Sequence, residues 1–176
     1  MSLRPIHLLG SPVLRQRAAE IEQITPEIAT LVDDLFDTMR ADGGVGLAAN
    51  QVGVAQRVAV VDATGDDPLI LLNPEIVERS GSQRGEEGCL SMPEVFAEVE
   101  RAERVVVETS RLDGERIQVA AEGYKARAIQ HEIDHLDGVM FFDRLSPLKR
   151  RMLLKKWQKL RKGDTSTTKE VHPARQ

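Results

Sequence analysis

The sequence has a single cysteine among its 176 residues. One cysteine cannot form an internal disulfide, so disulfide-stapled folds and four-cysteine zinc modules are excluded. The paired-cysteine pattern of the zinc deaminases is excluded for the same reason. A chain without disulfides is typical of a reducing compartment, and we therefore expect a cytoplasmic location.

Long apolar runs, internal repeats and domain linkers are also missing. No apolar stretch reaches the roughly 20 residues that a membrane-spanning helix needs, and residues 1–6 (MSLRPI) lack the apolar segment of a signal peptide. We expect no membrane partner. The length suits one domain, predicted to span residues 1–162. Residues 163–176 are polar and aperiodic, which predicts a flexible tail.

Basic residues are fewer than acidic ones, 24 against 28, but they are concentrated near the C-terminal end. The net charge is −4, yet residues 148–162 contain eight lysines or arginines and no acidic residue. Such a helix suits a polyanionic partner. The same segment has apolar residues at helical spacing, so it equally fits a helix that packs on the body and leaves its charges in water. Those apolar residues are Leu148, Met152, Leu153, Trp157 and Leu160.

Helices flank a central group of strands along the chain. Prolines in a first turn open helices near residues 12, 26 and 147, and a further helix is predicted for residues 124–136. Strands separated by short turns are predicted for residues 57–62, 69–73, 75–78, 104–110 and 116–121. Strands grouped between helices in this way predict an α+β fold rather than a doubly wound parallel sheet.

The strongest functional signal is HEIDH, at residues 131–135. On a helix, His131 and His135 lie about 40° apart around the axis, so both imidazoles can bind one ion. Glu132 projects from the same flank and can act on a water attached to that ion. The simpler interpretation makes both histidines ordinary helix residues and places Asp134 on a solvated face.

The cysteine lies within EGCLS, at residues 87–91. A thiolate from Cys89 would complete a three-ligand site with an open fourth position, as a catalytic metal requires. A lone cysteine is more often a small buried hydrophobic residue. A Cys89 nucleophile paired with a histidine is a rival chemistry, but it needs only one base and leaves the second histidine unexplained.

A third motif, GVGLAANQ, occupies residues 44–51. It satisfies a loose nucleotide-binding pattern but follows a helix instead of a strand, so that interpretation fails. A glycine helix stop that leads into a strand is a simple explanation. Alternatively, the glycines bring backbone groups close to a ligand, and Gln51 directs its amide at the reaction centre.

Taken in chain order, GVGLAANQ, EGCLS and QHEIDH (residues 130–135) resemble the three motifs of the peptide deformylases, with fitting separations. The resemblance covers residues 6–162. It implies short antiparallel or mixed β-sheets around a central helix bearing the HExxH run, with a C-terminal helix. It also implies a hydrolase that removes the formyl group from the N-terminal formylmethionine of newly synthesised polypeptides and releases formate.

The resemblance further implies a metal centre. The ligands correspond to Cys89, His131 and His135, and the catalytic acid and base corresponds to Glu132. Ferrous iron is the expected divalent metal, one per chain, although a thiolate with two imidazoles also suits zinc, cobalt or nickel. The implied partners are formylmethionyl nascent peptides and, through the basic helix of residues 148–162, the ribosome.

Substrate contacts complete the set of expected site residues. The Gln51 side chain and the Leu90 backbone N–H correspond to oxyanion donors, and the Gly46 backbone would pair with the substrate. Tyr124 and Ala128 lie in the same helix sector as the ligands. We expect the methionine pocket to be lined by Val45, Tyr124 and Ala128, although simple core packing fits these residues as well.

Two other functions remain open at this point. An endopeptidase could use the same HExxH helix, although Cys89 would be an unusual third ligand for it. An inactive ribosome- or RNA-binding module could retain the fold, although the intact ligand set and Glu132 argue against that.

Overall fold

The computed structural model, which describes residues 2–175, has an α+β fold, as predicted. The helices are α1 (Pro26–Ala41), α2 (Gly123–Leu136) and α3 (Pro147–Leu160). The strands are β1 (Ile6–His7), β2 (Gly46–Ala48), β3 (Val58–Asp62), β4 (Pro68–Leu72), β5 (Glu75–Ser80), β6 (Gln83–Cys89), β7 (Met92–Arg101), β8 (Arg104–Ser110), β9 (Arg116–Glu122) and β10 (Thr168–Lys169).

Capping side chains and prolines fix the starts of two helices. The Thr25 hydroxyl accepts a hydrogen bond from the Ile28 amide at 3.4 Å, at the start of α1. The Ser146 hydroxyl accepts one from the Lys149 amide at 3.3 Å, at the start of α3. Both caps are followed by proline, whose fixed φ suits a first turn. The helix expected near residue 12 is a four-residue 3-10 helix, Pro12–Arg15.

The strands form four small antiparallel sheets. Their orders are β2-β3-β4, β5-β8-β9, β6-β7 and β1-β10. Strand β2 lies at an edge of its sheet, so one side of its backbone faces away from β3. The β6–β7 hairpin changes register between Gly88 and Cys89, which leaves Pro93, Glu94 and Val95 without partners in the ladder.

Strand β3 is buried on both faces, between α1 and α2. Val58 and Val60 belong to the hydrophobic cluster that contains the apolar face of α1. Ala59 and Val61 belong to the cluster that contains α2. Successive side chains of a strand point to opposite faces. Strand β3 therefore packs against α1 with one face and against α2 with the other. As a result, every residue of α2 from 126 to 136 is buried.

A third cluster fixes α3 on the β6–β7 hairpin. Leu153 and Trp157 are both buried there against the 3-10 helix Phe141–Arg144. Leu148 and Met152 are each 63% exposed and Leu160 is 48% exposed. The predicted packing stripe is therefore wrong for these three residues. Leu153, Trp157 and the partly buried Leu154 face the body instead.

The expected flexible tail is wrong for residues 167–171. Strand β10 pairs with β1, and the Leu8 amide donates to the Thr167 carbonyl at 2.7 Å. Val171 is 8% exposed and packs in the cluster that contains α1. Two residues paired with β1 and one buried apolar side chain, Val171, fix this segment. So few residues show no periodicity in the sequence from which a strand could be predicted.

Candidate active site

A cavity of about 390 Å³ opens between the edge strand β2, the β6–β7 hairpin and α2. It is lined by nine of the ten residues singled out in the sequence: Val45, Gly46, Gln51, Cys89, Leu90, Tyr124, Ala128, His131 and Glu132. The tenth, His135, lies deeper, with 1% of its surface exposed. The structure thus brings residues from three separate motifs to one place.

Three atoms of types that commonly ligate metals converge at the base of this cavity. Nε2 of His135 lies 3.2 Å from Sγ of Cys89 and 3.1 Å from Nε2 of His131. All three donor atoms lie within 4.8 Å of one another. Helix α2 supplies both imidazoles from successive turns, and the end of β6 supplies the sulfur.

The chemistry of these donors fits a divalent transition metal. One thiol and two imidazoles form a soft, nitrogen- and sulfur-rich set suited to zinc, iron, cobalt or nickel. Nδ1 of His131 lies 2.8 Å from Oε1 of Glu87, which directs Nε2 at the other donors. A carboxylate behind a histidine is the usual arrangement that orients a metal-binding imidazole.

Glu87 is held by two buried arginines. Arg101 binds both of its carboxylate oxygens at 2.9 Å, and Arg127 lies 2.6 Å from Oε2. Burial opposes ionisation of Glu87, but the hydrogen bonds and charges of Arg101 and His131 hold its pKa well below the usual range. The carboxylate behind His131 is therefore permanently charged near neutral pH.

Arg101 also connects the hairpin to α2. Its Nη1 lies 2.5 Å from Oδ2 of Asp134, and Arg144 lies 2.7 Å from Oδ1 of the same carboxylate. Asp134 is 7% exposed, so its interpretation as part of a solvated face is wrong. Arg101 lies 33 residues away in the chain and Arg144 lies 10 residues away, and neither is at a helical spacing from Asp134 that would predict the pairing.

Glu132 has a buried carboxylate with a free oxygen. Its Oε1 lies 3.8 Å from Nε2 of His131, and within residues 2–175 its buried Oε2 has no hydrogen-bond partner. Burial raises the pKa of Glu132 to about 7. A carboxyl group that titrates near neutrality can both accept and return a proton.

Two glycines allow the edge strand to approach the site closely. A Cβ at Gly46 would lie 2.9 Å from Cδ of Glu132, and a Cβ at Gly44 would lie 2.7 Å from Cδ1 of Leu90. Any side chain at Gly46 would displace the Glu132 carboxyl group. Glycine is thus required there by the closeness of backbone and carboxylate.

The Gln51 amide is fixed at both ends. Its Oε1 accepts a hydrogen bond from the Ala48 amide at 3.0 Å. Its Nε2 donates to Oγ of Ser91 at 3.0 Å and lies 3.5 Å from Sγ of Cys89. The donor end of the amide is therefore held beside the thiol. Ser91 was missed, although it belongs to the EGCLS motif.

The comparisons with known proteins agree with this geometry. The family described as Polypeptide deformylase matches residues 3–151. This chain belongs to the polypeptide deformylase family. A curated peptide deformylase of Acidobacterium capsulatum is 44% identical over 167 residues, covering 93% of this chain and 98% of its own length. That of Desulforudis audaxviator is 49% identical, covering 80% of this chain and 92% of its own.

Solved structures of the family show the same fold. The crystal structure of a peptide deformylase from Legionella pneumophila has a TM-score of 0.86 and 42% identity, and covers 91% of this chain and 96% of its own. A peptide deformylase from Ehrlichia chaffeensis in complex with actinonin has a TM-score of 0.86 and 36% identity, covering 92% and 99%. Members of this family are hydrolases that remove N-terminal formyl groups.

Proposed function

We propose that this chain removes the formyl group from the N-terminal formylmethionine of nascent polypeptides, with a divalent metal held by Cys89, His131 and His135. The observation that carries the proposal is the convergence of three donors beside the unpartnered carboxyl oxygen of Glu132 in one cavity. A metal bound there would supply an acidified water and a positive charge near the formyl oxygen.

Glu132 is the proton carrier in this proposal. Its carboxylate takes the proton of the attacking water and passes it to the departing amine, first as base and then as acid. Its pKa of about 7, raised by burial, suits both steps. The contact with Gly46 keeps the carboxyl group directed into the cavity.

Gln51 and Leu90 stabilise the negative charge that develops on the formyl oxygen. The Gln51 amide is already fixed by Ala48 and Ser91, so it loses no freedom when the charge forms. The Leu90 backbone N–H follows the ligand Cys89 in sequence. Loss of one such donor typically raises the barrier by about 3–4 kcal/mol.

The edge of β2 and the apolar part of the cavity bind the substrate. The proposal has the substrate pair with the Gly46 backbone, and the position of β2 at the edge of its sheet supports this. Val45, Tyr124 and Ala128 all line the cavity, and they are the proposed methionine pocket. Tyr124 is 54% exposed and therefore lies at the mouth, whereas Ala128 is buried.

We propose ferrous iron as the resident metal and the ribosome as a partner. The donor set supports a soft divalent metal, and the resemblance to the family supports iron among the candidates. The exposed basic residues of α3 support contact with an RNA-rich surface. None of the helices within residues 2–175 has the length and apolarity to cross a membrane. Cytoplasmic location remains a prediction.

The decisive experiment measures formate release from formyl-Met-Ala-Ser. We expect activity in the metal-loaded chain, and a loss of at least 100-fold in Glu132→Gln with metal content unchanged. Acetyl-Met-Ala-Ser serves as the control substrate, because a bulkier acyl group should not fit. Cleavage of an internal bond in an N-blocked peptide would instead establish an endopeptidase, and binding of ribosomes without turnover would establish an inactive module.

A further inference from the structure

The C-terminal segment reaches the cavity through Lys169. The family match ends at residue 151, and the chain beyond it returns to pair β10 with β1. This pairing, with the buried side chain of Val171, fixes the backbone around Lys169. Lys169 consequently lines the same cavity as Gly46 and Glu132.

The ammonium group of Lys169 is anchored at the end of α1. Its Nζ lies 2.6 Å from Oδ2 of Asp42, and the two side chains are 26% and 21% exposed. Asp42 directly follows α1 and precedes the glycines that lead into β2. An ammonium group carries three N–H donors, so its pairing with one carboxylate oxygen leaves donors for another acceptor.

The order of residues along the cavity indicates what Lys169 meets. Gly46 lies against Glu132, at the reacting end. Asp42 precedes Gly46 by four residues, a span of at most about 13 Å at the rise of an extended chain. A peptide that pairs with the edge at Gly46 and runs towards Asp42 covers at most that span, which is the length of four extended residues.

We propose that Lys169 is a peptide-binding residue, which donates a hydrogen bond to the main-chain carbonyl oxygen of the third or fourth residue of a formylated peptide. The inference rests on the proposed function and extends its site. Asp42 already offsets the lysine charge, so the pair suits a neutral carbonyl oxygen rather than an anion. The C-terminal segment thus makes the site favour longer peptides.

The test compares two neutral substrates, formyl-Met-Ala-amide and formyl-Met-Ala-Ser-Ala-amide, on the full metal-loaded chain. Lys169→Ala is expected to raise KM for the tetrapeptide about five- to tenfold, as loss of one ordinary hydrogen bond would. Its kcat should not change, and KM for the dipeptide should change less than twofold. Lys169→Arg retains donors and should restore KM. Glu170→Ala, at the adjacent exposed position, is the matched control.

Two results would overturn this inference. An equal rise in KM for both peptides would show that Lys169 only supports the end of α1, and no rise for either would place it outside the peptide path. Thermal unfolding of Lys169→Ala should match that of the unchanged chain, which separates binding from folding. Failure of the unchanged chain to release formate from either peptide would overturn the proposed function as well.

Discussion

Single side chains set the size of the space beside the donor atoms. Ala128 lies one helical turn before Glu132 and His131, and it lines the cavity with a methyl group. Val45 faces the same space from the strand side. A larger residue at position 128 would fill the volume that we assign to the methionine side chain.

Ala128→Trp is therefore expected to raise KM for formyl-Met-Ala-Ser tenfold or more, because the indole occupies the methionine pocket. Metal content and the thermal unfolding midpoint should stay close to those of the unchanged chain. Ala120→Trp, on the exposed face of β9, is the matched control and should leave KM unchanged. An unaltered KM in Ala128→Trp would show that Ala128 belongs to the core and not to the pocket.

Among the elements, those with a strong local pattern were predicted and those without one were missed. Strands β3, β4, β5, β8 and β9 lie within two residues of the predicted bounds, because apolar and β-branched residues mark them. The β6–β7 hairpin was missed because β6 is dominated by Gly, Gln, Arg and Glu (QRGEEGC). The hairpin is held by Met92, Val95 and Val99 in the third hydrophobic cluster. It is also held by the ion pairs of Glu87 with Arg101 and Arg127, partners that lie outside β6.

The same contrast applies to the site. Short motifs predicted the donors and Glu132, because their chemistry depends on residue type and spacing. Arg101 and Arg127 carry no motif, and their roles depend on folding that brings them to Glu87. Lys169 reaches the cavity only because β10 pairs with β1. Tertiary contacts of this kind are outside the reach of local patterns.

The position of Glu87 on β6 predicts its effect on metal binding. Glu87→Gln retains the shape but removes the charge that orients His131, so we expect metal affinity to fall about 10–100-fold. Competition with a chelator measures the change. Glu86→Gln, at the neighbouring exposed position of the same strand, is the control and should bind as tightly as the unchanged chain. Equal affinities for the two variants would refute the role of Glu87.

Charge is distributed unevenly over the whole molecule. The exposed face of α3 joins lysines and arginines with the exposed side chains of Leu148 and Met152. The opposite face of the helix is packed through Leu153 and Trp157. Removal of the helix would therefore expose the third hydrophobic cluster, and substitutions on its outer face are the sharper probe of ribosome binding.

We expect Lys155→Glu with Lys156→Glu to abolish co-sedimentation with ribosomes at low salt, because the reversal removes attraction to phosphate groups. Release of formate from free formyl-Met-Ala-Ser should stay within twofold. The control pair, Arg17→Glu with Arg79→Glu, applies the same charge change at exposed positions away from α3. Equal loss of co-sedimentation in both double variants would show that ribosome binding depends on the net charge of the chain and not on α3.

The ion pairs of Arg101 connect the two parts of the chain that carry the proposed metal ligands. Arg101 grips Glu87 on the hairpin and Asp134 on α2 at the same time, so the chain's own ion pairs keep the sulfur and the imidazoles gathered. Small zinc modules, by contrast, collapse only around their ion. We therefore expect the fold to persist when a bound cation is removed or exchanged for another.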